Sequence, residues 1–327
     1  MRRRSFRVLL ASIFVLGCCT GALAFVSGSN AGSTGASLKL FAQPSVLTAN
    51  KTGFIKASFT AASGSQTGSA THVMITVNLA SGLVFDQAHS SANCTIPDPA
   101  GHPNDVVCTI NSVSPGETVT RFVVFTAPSS PGPYVTNGSA LWDNGSGGAG
   151  GGGAVNPPLP ADGPVTTTVF AATDSSHAGD CFLSGSGTVS TPHVNADDNQ
   201  STSAQVGAAA TFLGLPCPFA DVGEDPAPPG SGFVTAISHD TIPQLTQPAT
   251  ITLSLDSMPS GNPFSRFTWL FSRDYPAVLP SETIPNCVNG QLPKNAIVCL
   301  LSKTKIGNGG SWTFLQLGTG GDPSFGH

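Results

Sequence analysis

Alternation of apolar and polar side chains at every second position is the feature that most constrains this chain. The pattern is clearest in residues 72–79, where the apolar side chains are those of Val73, Ile75, Val77 and Leu79. A period of two places successive side chains on opposite faces of an extended strand, whereas an amphipathic helix needs a period near 3.6. Helical periodicity is almost absent from the surrounding residues. The sequence therefore predicts all-β structure.

Further short apolar segments separated by turn residues lie on both sides of this strand. The candidate strands are residues 37–41, 54–59, 84–85, 118–126 and 134–142, and one cysteine lies in each of two further strands. Pro115 and Gly116 occupy the central positions of a turn between two of them. Seven or eight short strands within residues 37–143 predict an immunoglobulin-like β-sandwich.

The motifs in this region resemble a known family of repeats. The matching residues are Leu79, Gly82 and Leu83 in a first turn, Val113, Pro115 and Gly116 in a second, Asn137 and Ala140 in a closing strand, and the paired cysteines. Together they resemble domain of unknown function 11, which occurs in exported bacterial and archaeal surface proteins; Ala80 replaces its usual proline. The resemblance covers residues 37–143 only. It implies a β-sandwich on a cell surface or in a secreted protein, and it implies no activity.

A composition change marks a candidate domain boundary. Residues 144–164 are rich in glycine and then in proline, a composition typical of a linker. Residues 165–327 contain further period-two segments, including 249–255 and 266–271, and predict a second β-sandwich domain. The 19 phenylalanines argue against disorder, because they can fill hydrophobic cores.

The N-terminus has the pattern of an export signal. Arginines at positions 2, 3, 4 and 7 precede a short apolar run, and Ala22 and Ala24 provide small residues for cleavage. Residues 1–24 are therefore interpreted as a signal peptide and residues 25–36 as a flexible leader. An alternative is a lipoprotein signal anchored through Cys18, although Leu16 fits its motif position poorly.

The net charge of the chain limits the classes of partner that it can bind. The chain has 13 basic and 18 acidic residues, and removing residues 1–24 takes away four arginines, which leaves 9 basic residues and a formal charge of −9. A chain without a basic patch is a poor partner for nucleic acid. No second apolar run is long enough to span a bilayer, so no transmembrane segment is expected in the mature chain. Candidate partners are a cell-envelope polymer or another surface protein, and no cofactor is predicted.

Six cysteines remain once Cys18 and Cys19 are removed with the signal. An even number in an exported chain predicts disulfides, and six cysteines allow 15 connectivities. Proximity in sequence favours Cys94–Cys108, Cys181–Cys217 and Cys287–Cys299. A metal site is the alternative, but no pair has the spacing of zinc knuckles.

Few residues are candidates for catalysis, metal binding or covalent cross-linking. For hydrolysis, the best pair is His239–Asp240, expected in a loop after a strand, and the acidic pairs Glu224–Asp225 and Asp197–Asp198 are expected in turns. Residues 195–199 offer oxygen ligands for calcium without the EF-hand pattern. Lys56 and Asn78 could form an internal isopeptide bond, but Lys56 is expected to point to solvent.

These observations favour a non-enzymatic exported protein with a structural or adhesive role at the cell envelope or outside the cell. The first alternative is a carbohydrate-binding protein that uses exposed aromatic side chains, for which the candidates are Trp142, Trp269, Tyr275 and Trp312. The second alternative is a hydrolase housed in the C-terminal domain.

Overall fold

Strands and turns account for the part of the chain that the computed structural model describes: residues 35–63, 68–144, 157–192, 202–209, 215–225, 236–241, 248–272, 282–317 and 324–326. These residues form four sheets and contain no helix that could serve as a membrane span. The predicted all-β chain of two β-sandwiches is confirmed. The predicted signal peptide, with Cys18, and residues 25–34 of the leader lie outside the described residues.

The first sandwich has an immunoglobulin-like arrangement of strands in two facing sheets. A four-stranded sheet has the order β1-β3-β8-β5, and the facing sheet has the order β2-β11-β9-β4-β7-β6, with β10 pairing with β9. A variable-type immunoglobulin domain divides its strands between two sheets in a comparable way. The strands are β1 (Ser37–Gln43), β2 (Val46–Thr48), β3 (Thr52–Thr60), β4 (Ala70–Asn78), β5 (Val84–Phe85), β6 (Cys94–Thr95), β7 (Asp105–Val113), β8 (Thr118–Thr126), β9 (Gly132–Asn144), β10 (Leu159–Pro160) and β11 (Val165–Phe170).

The core of this sandwich follows the predicted alternation. On β4, the side chains of Val73, Ile75 and Val77 are fully buried, whereas Met74 is 40% exposed. Trp142 on β9 packs against Phe59 on β3, with ring centroids 5.4 Å apart. Burying such side chains contributes roughly 1.5–3 kcal/mol each, and this favours the observed register of β4 over a one-residue slip.

The domain boundary in the sequence needs a correction. The composition change predicts that residues 165–170 begin the second domain, but as β11 this segment pairs antiparallel with β9 and parallel with β2. It is therefore the last strand of the first sandwich. β10, inside the predicted linker, also pairs with β9. The glycine-rich residues thus connect two strands of one sandwich, and the junction between the sandwiches is the short segment at residues 171–176.

The second sandwich also has two sheets, of orders β12-β15-β16-β22-β18-β19 and β13-β14-β17-β21-β20. Its core contains four aromatic side chains in mutual contact, those of Phe264, Phe267, Trp269 and Trp312. The strands are β12 (His177–Cys181), β13 (Ser186–Thr191), β14 (Thr202–Ala209), β15 (Phe219–Asp225), β16 (Ala236–Thr241), β17 (Ala249–Leu255), β18 (Leu270–Ser272), β19 (Glu282–Thr283), β20 (Val298–Ile306), β21 (Gly309–Gln316) and β22 (Ser324–Gly326).

The two sandwiches are in direct contact. Phe54 and Val124, on the outer face of the four-stranded sheet, belong to the hydrophobic core of the second sandwich. The rings of Phe54 and Phe219 meet edge to face with centroids 6.0 Å apart. A flexible connection between independent domains would leave these apolar side chains in water, so burial favours a fixed arrangement.

Polar contacts surround this apolar contact. Asp180 on β12 accepts a hydrogen bond from the backbone N–H of Thr52 at 3.2 Å and forms an ion pair with Lys51 at 3.1 Å. The backbone N–H of Gly179 donates to the Thr48 hydroxyl at 3.1 Å. These contacts link β12 to β2 and β3 and fix the orientation of the second sandwich against the first.

Candidate functional site

Three disulfides cross-link the chain: Cys94–Cys108, Cys181–Cys217 and Cys287–Cys299. These are the pairs that proximity in sequence favoured. Cys94 lies directly opposite Cys108 across β6 and β7. Five of the six cysteines are buried, and Cys287 is half-buried. Because disulfides persist in oxidising compartments, the presence of these three bonds bears on the compartment in which the protein acts.

The residues considered for hydrolysis occupy strands. His239 and Asp240 lie in β16, opposite Val222 and Asp221 of β15, so the expectation of a loop is wrong. Glu224 and Asp225 form the paired end of β15, and a turn was expected there. The sequence does not predict these strand residues, because neither β15 nor the end of β16 at His239 and Asp240 has the apolar alternation by which a strand is recognised.

Metal and calcium candidates gain no support from the geometry. Asp197, Asp198 and the rest of the calcium candidate at residues 195–199 lie outside the described residues. Within the part of the chain that the structure describes, no group of three or more His, Cys, Asp or Glu side chains is placed to hold a metal ion.

The tryptophans proposed to stack on sugars are buried. Trp142, Trp269 and Trp312 have exposed fractions of 4%, 2% and 1%. Trp142 and Trp312 are therefore wrong as exposed binding residues, because each supplies a large apolar surface to a sandwich core. Trp269 lies in the core, as its period-two segment at residues 266–271 predicts. Tyr275 lies outside the described residues.

Lys56 and Asn78 do not meet. Lys56 lies on β3 and Asn78 on β4, in different sheets. The Lys56 ammonium lies 5.8 Å from the centroid of the Phe41 ring, while the Asn78 amide donates to Asp105 at 2.7 Å. Each side chain thus has a partner of its own, and the two are not positioned for an isopeptide bond.

A groove lies on the outer face of the first sandwich where β4 bulges. The register of β4 against β9 shifts between Thr71 and Met74, and His72 has a φ of 49° in the left-handed region. Such bulges redirect side chains. His72 Nδ1 lies 3.0 Å from Asp143 Oδ2, at the rim of a cavity of about 310 Å³. Thr109, Asn111 and Leu141 also line this groove, which mixes polar and apolar contacts and contains no pair of carboxylates.

An exposed strand segment lies at the edge of the second sandwich. Residues 301–306 of β20 are exposed on both faces, and β20 is the end strand of its sheet. We call these residues the open edge. The sequence does not predict the length of this strand, because residues 303–306 have no apolar face. The alternation of Lys303, Thr304 and Lys305, which lacks an apolar face, was the available signal.

The junction between the sandwiches is held by Asp174. Its Oδ1 accepts hydrogen bonds from the backbone N–H groups of Ser176 at 2.9 Å and of His177 at 2.7 Å. The His177 ring stacks on Phe170 with centroids 3.9 Å apart. Partial burial alone would raise the pKa of Asp174, but the two N–H groups and the His177 ring outweigh it and lower the pKa below its ordinary value.

Replacing Asp174 with asparagine is expected to lower stability at neutral pH by about 1 kcal/mol, because the N–H groups lose a charged acceptor that is partly exposed. The folded-state pKa is lowered, so this stabilisation is present above the unfolded pKa of 3.8 and is lost as pH falls towards the folded value. Thermal unfolding from pH 7 down to about pH 2 should show the wild type and variant converging. The exposed Asp256, replaced by asparagine, is the control, and equal behaviour of both variants would contradict the role of Asp174.

Comparison with known proteins finds likeness to solved structures alone. No family model and no curated protein matches the chain, and the resemblance to domain of unknown function 11 stays a prediction. The full-length major pilin SpaD from Corynebacterium diphtheriae is 11% identical over 71% of this chain and 58% of its own, with a TM-score of 0.34. The major pilin subunit BcpA of Bacillus cereus is 9% identical over 71% of this chain and 62% of its own, with a TM-score of 0.30.

A cohesin module from a family 33 glycoside hydrolase of Clostridium perfringens is 8% identical over 42% of this chain and 96% of its own, with a TM-score of 0.28. This chain thus spans about three fifths of each pilin and nearly all of the cohesin module. At such TM-scores the likeness supports no conclusion about this chain, and the roles of those proteins do not transfer.

Proposed function

We propose that this chain is an exported, non-enzymatic protein whose two cross-linked sandwiches form a structural or adhesive unit at the cell envelope or outside the cell. The observation that carries this proposal is the pairing of all six cysteines after the signal-like segment into three disulfides within an all-β fold. Thiols in a reducing cytosol would remain unpaired.

Two further observations support the proposal. The contact between the sandwiches, through Phe54 and Phe219, favours a fixed arrangement of the two sandwiches, which suits a structural role. The N-terminal arginines and apolar run have the pattern of a secretory signal. The partner would be a cell-envelope polymer or another surface protein.

Expression of the full chain in a bacterium tests the export proposal. We expect a mature N-terminus directly after Ala24, recovery outside the cytoplasm, and no cysteine in positions 94–299 that reacts with a thiol reagent under denaturing conditions. Mass spectrometry before and after reduction measures the last point. Retention in the cytoplasm with free thiols would contradict the proposal.

The lipoprotein alternative has a separate test. Metabolic labelling with a fatty acid, on the wild type and on Cys18→Ala, distinguishes free secretion from anchoring. We expect no label on either protein. Label on the wild type that is absent from Cys18→Ala would establish membrane anchoring while leaving the structural role intact.

A further inference from the structure

The open edge of β20 begins directly after Leu300. Up to Leu300, the segment at residues 285–287 covers the outer side of the strand and is called the covering segment. The backbone N–H of Cys287 donates to the Leu300 carbonyl at 2.9 Å, and the N–H of Leu300 donates to the Pro285 carbonyl at 2.8 Å. The disulfide Cys287–Cys299 holds this covering segment against β20. Beyond Leu300, no strand among the described residues pairs with the outer side of β20.

The open edge is unusual within its own sheet. The adjacent strand β21, and β17 beyond it, alternate buried side chains with partly or fully exposed ones, whereas every side chain from residue 301 to 306 is exposed. An edge strand of this length carries unpaired backbone N–H and C=O groups that can template another strand. The open edge is therefore available for hydrogen bonding along its backbone.

Charge indicates which strand would fit. Lys303 and Lys305 project to the same side of β20, roughly 7 Å apart at the spacing of a β-strand. The Lys303 ammonium lies 5.5 Å from the centroid of the Phe264 ring and donates to the Ser265 carbonyl at 3.4 Å. Neither lysine forms an ion pair with a carboxylate among the described residues. This basic pair lies on a chain whose net charge is −5 even with its N-terminal arginines.

A second copy of the chain fits the open edge poorly. In an antiparallel pair of β20 strands centred on Thr304, Lys303 of each copy would lie opposite Lys305 of the other, and like charges directly opposite destabilise a sheet. A strand with carboxylates at two positions separated by one residue would instead place a negative charge opposite each lysine.

We propose that the open edge binds an extended acidic segment of a partner polypeptide, which adds to the sheet beside β20 and pairs its carboxylates with Lys303 and Lys305. The backbone hydrogen bonds would supply affinity, and the two lysines would select for acidic side chains. This inference goes beyond the proposed export and structural role, because a chain that fails the export test could still pass the test below.

The probe is a blocked seven-residue peptide with glutamate at its third and fifth positions and valine or threonine elsewhere. Its binding to the full, disulfide-bonded chain is measured by calorimetry up to about 1 mM peptide. A peptide with glutamine in place of glutamate tests charge. Two further glutamate peptides test the backbone hydrogen bonds. One is N-methylated at the odd-numbered residues and the other at the even-numbered residues, because only one of these two sets of N–H groups faces β20.

The protein variant is Lys303→Glu with Lys305→Glu, and its matched control is Lys39→Glu with Lys294→Glu, which makes the same change in net charge at exposed positions outside the open edge. Circular dichroism and thermal unfolding establish that both variants fold. We expect binding of the glutamate peptide to weaken about tenfold or more in the Lys303/Lys305 variant and to persist in the control.

Several results would overturn the proposal. They are absence of binding by the wild type, equal binding of the glutamine peptide, binding that survives N-methylation in both N-methylated peptides, and equal loss in the control variant. Association of the wild-type chain with itself through β20 would likewise replace the acidic partner with a second copy.

Discussion

Replacing Gly179 with alanine is expected to separate the two sandwiches and to lower the free energy of unfolding by about 3 kcal/mol or more. A Cβ at this position would lie far inside van der Waals contact with the Val46 carbonyl oxygen on β2. Because the obstacle is backbone, it cannot move aside as a flexible side chain does. The hydrogen bond from Gly179 N–H to Thr48 would be lost as β12 moves away.

Calorimetry checks this prediction directly. The wild type should unfold in one transition and Gly179→Ala in two, because separated sandwiches no longer stabilise each other. Gly207→Ala is the matched control, since its Cβ would meet nothing closer than the Thr188 hydroxyl at 3.4 Å. If both variants unfold like the wild type, the close approach of β12 to β2 does not contribute to stability.

Removal of the Cys181–Cys217 disulfide, by replacing both cysteines with alanine, is expected to destabilise the protein by about 4 kcal/mol. The two cysteines are 36 positions apart, and the chain-entropy model assigns a larger unfolded-state constraint to a longer closed loop. Both residues are buried in the core of the second sandwich, so the substitution also leaves a small cavity there.

Denaturant unfolding of the oxidised proteins measures this effect. The corresponding double substitution of Cys94 and Cys108, which are 14 positions apart, should cost about 3 kcal/mol and serves as the comparison. A Cys181/Cys217 variant as stable as the wild type would show that core packing alone holds β12 in place.

The contact between the two sandwiches could be predicted in part from the sequence. In β3, Phe54 lies on the face whose other members include Lys56 and Ser58, out of phase with the apolar side. In β8, Val123, Val124 and Phe125 are all buried, and a continuous apolar run is typical of a strand covered on both faces. These exceptions to the alternation marked the contact between the sandwiches.

The bulge at His72 and the open edge of β20 could not be predicted from the sequence. The bulge at His72 arises from the pairing of β4 with β9, and a histidine in the left-handed region cannot be recognised from its neighbours in sequence. The open edge of β20 depends on where the segment before Cys287 stops covering it. Both features are set by pairing between residues distant in sequence.

The sequence by itself determined the all-β class and the faces of the strands around Val73 and Ile75, because alternation is a local property. It favoured the three cysteine pairs among 15 connectivities, and the structure shows them formed. Only the tertiary structure decided that residues 165–170 complete the first sandwich, that the glycine-rich segment connects two of its strands, and that Phe54 enters the second core. The physical reason is that a period of two shows which side of a strand is buried, whereas the identity of the surface that buries it depends on contacts across the whole fold.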